Sequence, residues 1–109
     1  MVTTRKQALE IAAQVRDELE KLYGERLRGV YLYGSAARDK MDEDSDIDIA
    51  IVLDEIHSRF DEHERTGDLG SQVSLEYNTL VSFFFVPQSD YEQGTYATYR
   101  AIKREGIAV

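Results

Sequence analysis

The sequence predicts an α/β fold, a small mixed sheet of three or four strands packed against helices in one domain spanning residues 1–109. Two kinds of segment alternate along the chain. The N-terminal twenty residues carry apolar positions three and four apart, the spacing of an amphipathic helix, whereas three later runs are short and rich in β-branched or aromatic residues. At this length the chain can build one hydrophobic core.

The first helix is predicted to start after Thr3 or Thr4, because Gln7 completes a capping box with Thr4. Gly24 ends it. Its predicted core stripe consists of Ala8, Leu9, Ile11, Ala12, Val15, Leu19, Leu22 and Tyr23.

The first strand is predicted from Arg28 to Tyr33, with Tyr31 and Tyr33 on the face opposite Val30 and Leu32. For these tyrosines two interpretations stay open, stacking on a nucleotide base or closing the edge of a core.

Residues 34–52, GSAARDKMDEDSDIDIAIV, carry the strongest functional signal. A tight Gly34-Ser35 turn after a strand lets backbone N–H groups approach a phosphate, and a short helix from Ser35 to Lys40 is expected there. Beyond an acidic loop, Asp46 and Asp48 alternate with isoleucines, so both carboxylates point to one face of the next strand. Carboxylates placed in this way can converge on Mg²⁺ that also holds phosphate oxygens.

Three further features of this stretch bear on the site, and two of them have alternative interpretations. Arg38 either contacts a phosphate or holds the aspartate strand by a charged hydrogen bond. The acidic residues Asp42, Glu43 and Asp44 are either solvated or supply an extra metal ligand, with solvation favoured. Ser45 is expected to bond a backbone amide at the entry to the strand.

Charge restricts the partners. The chain carries 21 acidic and 13 basic residues, a net charge of −8. Such a surface repels a phosphate backbone, so we expect no direct nucleic-acid binding but a small anionic substrate that arrives with its metal. The absence of cysteine excludes disulfides and thiol nucleophiles. No membrane span or signal peptide is recognisable, so a cytoplasmic protein without membrane contact is expected.

The second half of the chain is predicted to hold two helices and a strand. Residues 54–77 are helical in tendency, with either a break around Thr66 to Gly70 or a close helix contact there. Their apolar stripe runs through Ile56, Phe60, His63, Gly67, Gly70, Val73 and Tyr77, while Arg59, Asp61, Glu62, Glu64 and Arg65 are expected to be solvated. His57 and His63 are six positions apart, which is not the spacing of a helical metal pair.

Residues 79–86 are predicted to form a central strand that Pro87 ends. A last helix is expected from Ser89, capped with Glu92, through Glu105, followed by a short strand at residues 107–109.

The order glycine-serine, ten residues, Asp-x-Asp resembles the signature of polymerase-beta-type nucleotidyltransferases. The chain looks most like the minimal nucleotidyltransferases, small proteins often encoded beside a helical HEPN partner. The resemblance is dense over Tyr31 to Leu53, including the Ala37-Arg38 pair, and rests elsewhere on element order and length.

The resemblance implies a nucleotidyltransferase fold and a function. Asp46 and Asp48 would be catalytic and hold Mg²⁺, and the nucleotide, ATP or another NTP, would bind at Gly34, Ser35, Arg38 and Ser45. The reaction would transfer a nucleoside monophosphate, AMP in the case of ATP, to a hydroxyl. One acceptor that the family suggests is a tyrosine of a HEPN-type toxin, which would make this chain an antitoxin.

The sequence departs from the family at one position. Active members commonly carry a third carboxylate on the next strand, where this chain offers Thr79 and Ser82. Ser82 is the expected occupant of that position, and Glu76 is the closest acid upstream. Serine cannot act as a general base at neutral pH. A rival function is therefore a catalytically degenerate module that neutralises its partner by covering it. A second rival, transfer to a small molecule, would need a dimer interface for the acceptor. Homo- and hetero-oligomers both remain open.

Overall fold

The computed structural model describes residues 2–42 and 45–109, and its core is a four-stranded sheet in the order β3-β2-β1-β4. Strand β1 is antiparallel to β2 and β4, and β2 is parallel to β3. The α/β prediction is confirmed. The helices and strands are α1 (Arg5–Tyr23), β1 (Leu27–Tyr33), α2 (Gly34–Ala37), β2 (Ile47–Leu53), α3 (Arg59–Tyr77), β3 (Val81–Pro87), α4 (Gln88–Gln93), α5 (Ala97–Glu105) and β4 (Ile107–Ala108), with a 3₁₀ turn at Gly24–Arg26.

Helix α1 begins and ends as predicted. The Thr4 side chain accepts a hydrogen bond from the Gln7 backbone N–H, the Gln7 side chain accepts one from the Thr4 N–H, and Gly24 follows the last turn at φ 57°. The prediction was wrong for Leu22, which was placed in the core stripe but is 46% exposed. The buried face comprises Ala8, Ile11, Ala12, Val15, Leu19 and Tyr23.

Both faces of the sheet are covered, and the alternation along β2 decides which residues meet which helices. Ile47, Ile49 and Ile51 pack in one core with α1 and α3. Ala50 and Val52 belong to a second, smaller core with residues of α5. Asp48 lies on the side of the smaller core, since successive side chains of a strand point to opposite faces.

Helix α3 starts five residues later than predicted and runs without the expected break. The Ser58 side chain caps it by accepting a hydrogen bond from the Asp61 N–H. Gly67 and Gly70 lie within the continuous helix, and a Cβ at Gly70 would stand 3.4 Å from the ring of Phe83. Packing against β3 therefore compensates for the low helix propensity of glycine. Within the described residues, no helix is long and apolar enough to cross a membrane.

The buried face of α3 also differs from the prediction. Glu62, Thr66 and Val73 are buried, whereas Phe60 is 71% exposed. The prediction was wrong because a charged residue, Glu62, takes a position on the buried face. Polar contacts, rather than apolar residues, orient the first two turns of this helix.

Glu62 was expected to be solvated, yet it is only 3% exposed. Its carboxylate accepts hydrogen bonds from Tyr23 Oη at 2.9 Å and from Arg26 Nη2 at 3.0 Å, and Arg65 Nε lies at 3.3 Å. Burial alone would raise the pKa of Glu62, but the bonds from Arg26 and Tyr23 outweigh it and lower that pKa. Arg26 also binds Asp54 at the end of β2. The network thereby joins α1, α3 and the sheet.

Strand β3 is an edge strand and not the central strand that was predicted, because β2 and β1 occupy the middle of the sheet. Helix α3 partly closes its outer edge. Ser74 Oγ accepts a hydrogen bond from the Val81 N–H at 3.0 Å, and Arg59 Nη2 donates to the Phe85 carbonyl at 3.2 Å. The apolar composition of β3 shows that both faces of the strand are in contact with other residues. It does not show whether another strand lies on each of its edges.

The predicted last helix is two helices. Gly94 adopts the left-handed conformation at φ 64° and ends α4, and α5 starts three residues later. Ser89 lies inside α4 and does not cap it, since Pro87 precedes the helix. Gly106 ends α5 as predicted, and β4 pairs with β1.

We expect Glu62→Ala to lower the free energy of unfolding by about 2–4 kcal/mol at pH 7, because the Tyr23 hydroxyl and the Arg26 guanidinium lose their buried acceptor. A group with a lowered folded pKa stabilises the fold above its unfolded pKa, 4.5 for glutamate, and ceases to do so as the pH falls through the folded value. The difference between variant and wild type in urea denaturation should therefore shrink below pH 4.5.

Glu64→Ala on the exposed side of the same helix is the control, and it should change stability by less than about 0.5 kcal/mol. Equal effects of the two substitutions would contradict a stabilising role for the buried network.

Candidate active site

The candidate site lies where β1 ends and β2 begins. In the sheet, Asp48 pairs with Tyr33 on one side and with Ser82 on the other, so these three residues form one row across β1, β2 and β3. Paired residues point to the same face, here the face of the smaller core. Asp46 precedes the strand by one residue and is exposed. The row places one half-buried and one exposed carboxylate beside the turn that follows β1.

Gly34 forms this turn, and its backbone lies directly against Asp48. Its φ is 73°, a conformation that favours glycine, and a Cβ built on it would overlap Asp48 Oδ2. Glycine is therefore required twice, by the backbone conformation and by the carboxylate. The group that approaches Gly34 in the structure is Asp48, and the approach of a phosphate to this turn stays a prediction.

The electrostatics of the site favour a positive ligand. Burial and the charge of Asp46 raise the pKa of Asp48, and the charge of Arg38 partly opposes them. Burial and the charge of Asp48 raise the pKa of Tyr33 to about 12. A negative charge at Asp48 is thus disfavoured by its surroundings, and a cation between the two carboxylates would relieve this.

Helix α2 is a single turn that ends at Ala37, three residues before the predicted end at Lys40. Asp39, at φ 57°, is left-handed, so the chain turns where the family often has glycine. Ser35 accepts a backbone bond from the Lys40 N–H at 2.9 Å through its carbonyl. This turn closes the stretch that was predicted to be helical.

Of the two roles predicted for Arg38, the hydrogen bond to the aspartate strand is not formed among the described residues, and the contact with a phosphate stays a prediction. Arg38 Nη1 instead donates to Glu105 Oε2 at 3.2 Å. Nothing in the sequence indicated a pairing of Glu105 with Arg38, because the two residues are 67 positions apart. A carboxylate at the end of a helix carries no local signal of such a contact.

Ser45 bonds a backbone amide, as predicted. Its Oγ accepts a hydrogen bond from the Asp42 N–H at 3.0 Å and donates to the Asp42 carboxylate at 3.2 Å. Glu43 and Asp44, proposed as alternative metal ligands, lie outside the described residues. A nucleotide contact by Ser45 stays a prediction.

A profile of the nucleotidyltransferase domain matches residues 12–102. The chain belongs to this family of nucleotidyltransferases. It is 31% identical over 74 residues to a Methanocaldococcus jannaschii protein named "Putative protein adenylyltransferase MJ0141", a match that covers 68% of this chain and 74% of that protein. The resemblance inferred from Tyr31 to Leu53 is confirmed at the level of the family.

Solved structures show the same fold. A protein described as a "putative nucleotidyltransferase from Sulfolobus solfataricus" superposes with a TM-score of 0.64 at 21% identity, over 95% of this chain and 80% of the other. A toxin-antitoxin structure with AMP-PNP gives 0.58 at 16% identity, over 87% and 69%. A mutant of the toxin-antitoxin MntA-HpeT gives 0.58 at 14% identity over the same shares.

Ser82, the residue expected at the position of the third carboxylate, lies in register with Asp48. That Ser82 occupies the family's carboxylate position stays a prediction. Glu76 is not an alternative, because it accepts a hydrogen bond from Gln14 on α1, on the other side of the sheet. His57 pairs with Glu55 and the His63 ring meets Phe85 edge-on, both towards the other end of β2.

Two carboxylates are therefore the donors that this site offers to a metal. In the described part of the chain, no group of three or more His, Cys, Asp or Glu side chains is arranged to hold one. Asp46 and Asp48 nevertheless fit a hard divalent cation, since Mg²⁺ is usually held by one or two carboxylates together with substrate phosphates and water.

Aromatic residues form the floor beside the row. Tyr31 stacks on Tyr91 with ring centroids 5.2 Å apart, and Phe84 lies 6.5 Å from Tyr33 and 5.9 Å from Tyr99. Of the two interpretations, closing a core edge describes Tyr31, whose ring is engaged by α4. The contribution of α4 and α5 to this floor was not visible in the sequence, because it depends on how the chain returns after β3.

We expect Gly34→Ala to lower the free energy of unfolding by about 2–4 kcal/mol, since it combines strain at positive φ with a clash against the Asp48 carboxylate. The double variant Gly34→Ala/Asp48→Ala tests the cause, because alanine removes the oxygen that clashes. Urea denaturation should show a coupling of at least about 1 kcal/mol between the two substitutions. Simple additivity would contradict the contact.

Proposed function

We propose that this nucleotidyltransferase transfers AMP from ATP to a hydroxyl group on a protein. The observation that carries the proposal is the packing of the Gly34 turn against Asp48, beside Asp46. It brings a backbone able to approach a phosphate and a pair of carboxylates able to hold a cation to one point.

The residues of the site have distinct proposed roles. Asp46 and Asp48 hold Mg²⁺, as nucleotidyltransferases typically use a divalent metal. When bound, this ion offsets the negative charge of the phosphates and polarises the α-phosphate. Gly34 and Ser35 place backbone N–H groups at the β- and γ-phosphates, and Arg38 and Ser45 lie on the segments that flank them.

A protein acceptor is supported by the relative from Methanocaldococcus jannaschii, whose name describes a protein adenylyltransferase. ATP is supported by the related fold solved with AMP-PNP, and a toxin-antitoxin pairing by the same structures. We infer that the acceptor is a tyrosine of a HEPN-type toxin, which makes this chain its antitoxin.

For proton removal from the acceptor hydroxyl, the described part of the site offers no residue that is suited to act as the base. Ser82 stands beside Asp48 and cannot take a proton at neutral pH, and Glu76 is bonded to α1. Water or a group on the acceptor protein then takes the proton. Asp48 is already assigned to the metal in this proposal, so it is not given a second role as the base.

Ser82 also favours a second candidate function. A chain that has a serine beside its metal carboxylate can retain nucleotide binding while neutralising its partner by covering it. The two functions differ in one respect: occlusion requires the surface of this chain, whereas transfer requires the two aspartates.

The test of the proposed function is the binding of AMP-PNP, with and without Mg²⁺, by calorimetry. Asp46→Asn/Asp48→Asn should weaken the magnesium-dependent binding by more than about tenfold, since even the loss of residues that only orient metal ligands has effects of that size. Transfer is then measured by mass spectrometry as one added AMP per acceptor. A wild-type protein that binds no AMP-PNP with Mg²⁺ would contradict the proposal.

Asp17→Asn/Asp68→Asn is the matched control, because it removes two exposed charges from α1 and α3, away from the site. It should bind as the wild type does. If the site variant still neutralises the partner without transferring AMP, occlusion is the mechanism.

Ser82→Asp should place a third carboxylate beside Asp48. Without metal, repulsion between like charges on neighbouring strands should destabilise the fold by about 1 kcal/mol. Mg²⁺ should restore the thermal midpoint and bind more tightly than to the wild type. Ser82→Asn, of similar size and neutral, is the control, and an unchanged response to Mg²⁺ in Ser82→Asp would place residue 82 outside the metal site.

A further inference from the structure

Arg38 and Glu105 form an ion pair that brings the far end of the chain to the edge of the candidate site. Arg38 is anchored to the turn, since its backbone N–H donates to the Gly34 carbonyl at 3.2 Å. Its guanidinium reaches α5, where Nη1 lies 3.2 Å from Glu105 Oε2. The cation that sits nearest to the phosphate-binding turn in sequence is thus already bound to an internal anion.

The carboxylate of Glu105 accepts from Arg38 as a phosphate oxygen would. Guanidinium groups bind carboxylates and phosphates through the same forked donors, so the two anions are alternatives for one site. Arg38 is also the cation whose charge acts on Asp48. Its guanidinium is therefore bonded to the internal carboxylate of Glu105 while its charge also acts on the proposed metal ligand Asp48.

Exchange of Glu105 for a phosphate is easy in this geometry. The side chains of Arg38 and Glu105 are 49% and 34% exposed, and pairs at this exposure are weak. Glu105 does not lose every partner when Arg38 leaves, because Arg104 Nη2 lies 3.5 Å from its Oε1. Neither charge has to be buried or left alone during the exchange.

We propose that Glu105 competes with a phosphate group of the nucleotide for Arg38 and thereby sets the affinity of the site for nucleotides. The proposal rests on the proposed function, since it concerns the same site. Glu105 is a residue that limits binding, and it does not contact the reacting atoms.

The test is a double-mutant cycle in which the dissociation constant of AMP-PNP with Mg²⁺ is measured by calorimetry. Glu105→Gln should tighten binding by roughly two- to fivefold, the range expected for releasing a cation from a partly exposed pair. Arg38→Gln should weaken binding. In the Arg38→Gln background, Glu105→Gln should increase the affinity for AMP-PNP little, because Glu105 then has no Arg38 guanidinium to bind.

Glu92→Gln controls for general charge, since it neutralises an exposed acid beside α5. It should leave the affinity unchanged, and all variants should keep the thermal midpoint of the wild type. Unchanged or weaker binding by Glu105→Gln would overturn the proposal, as would an equal gain in the presence and absence of Arg38.

Failure of the proposed function gives a different result. If the wild type binds no AMP-PNP with Mg²⁺, both proposals fall. If the wild type binds, the Asp46→Asn/Asp48→Asn variant does not, and Glu105→Gln behaves as the wild type, the nucleotide site stands and only the competition by Glu105 is wrong.

Discussion

The contact between the Gly34 turn and the Asp48 carboxylate is the constraint on which the site depends. It requires a residue without a side chain at positive φ, a strand β1 that ends beside the start of β2, and a carboxylate kept partly out of water. Burial and the charge of Asp46 raise the pKa of Asp48, so its negative charge is disfavoured. A cation bound beside it would stabilise that charge. Structure and proposed chemistry therefore share one cause.

A rigid frame keeps this contact in place. At the far end of β2, buried Glu62 accepts hydrogen bonds from Tyr23 of α1 and from Arg26 of the turn before β1. Arg26 also forms an ion pair with Asp54. The charge of Glu62 is thus fully compensated in a place where an unpaired carboxylate would be costly. Helices α1 and α3 are held to the sheet at one end of β2, and the two aspartates project from the other end.

The acidic surface and the acidic site make the few nearby cations important. Under the proposed function, a chain with a net charge of −8 would bind a polyanionic nucleotide, and the accompanying metal would supply much of the attraction. Arg38 would be the protein's own contribution near the turn, and its pairing with Glu105 would limit that contribution. The strength of nucleotide binding would then depend on α5 as well as on the strands that carry the aspartates.

The sequence by itself determined the fold class and the capped first helix, because these follow from local periodicity and capping along single segments. Only the tertiary structure decided that β3 lies at an edge, that Glu62 is buried and that Glu105 reaches Arg38. Each of these depends on contacts between segments distant in the chain, and a charged residue or an apolar strand looks the same in sequence whichever neighbour it meets. The Gly34 turn was recognisable as a close approach, but that Asp48 lies against it required the pairing of β1 with β2.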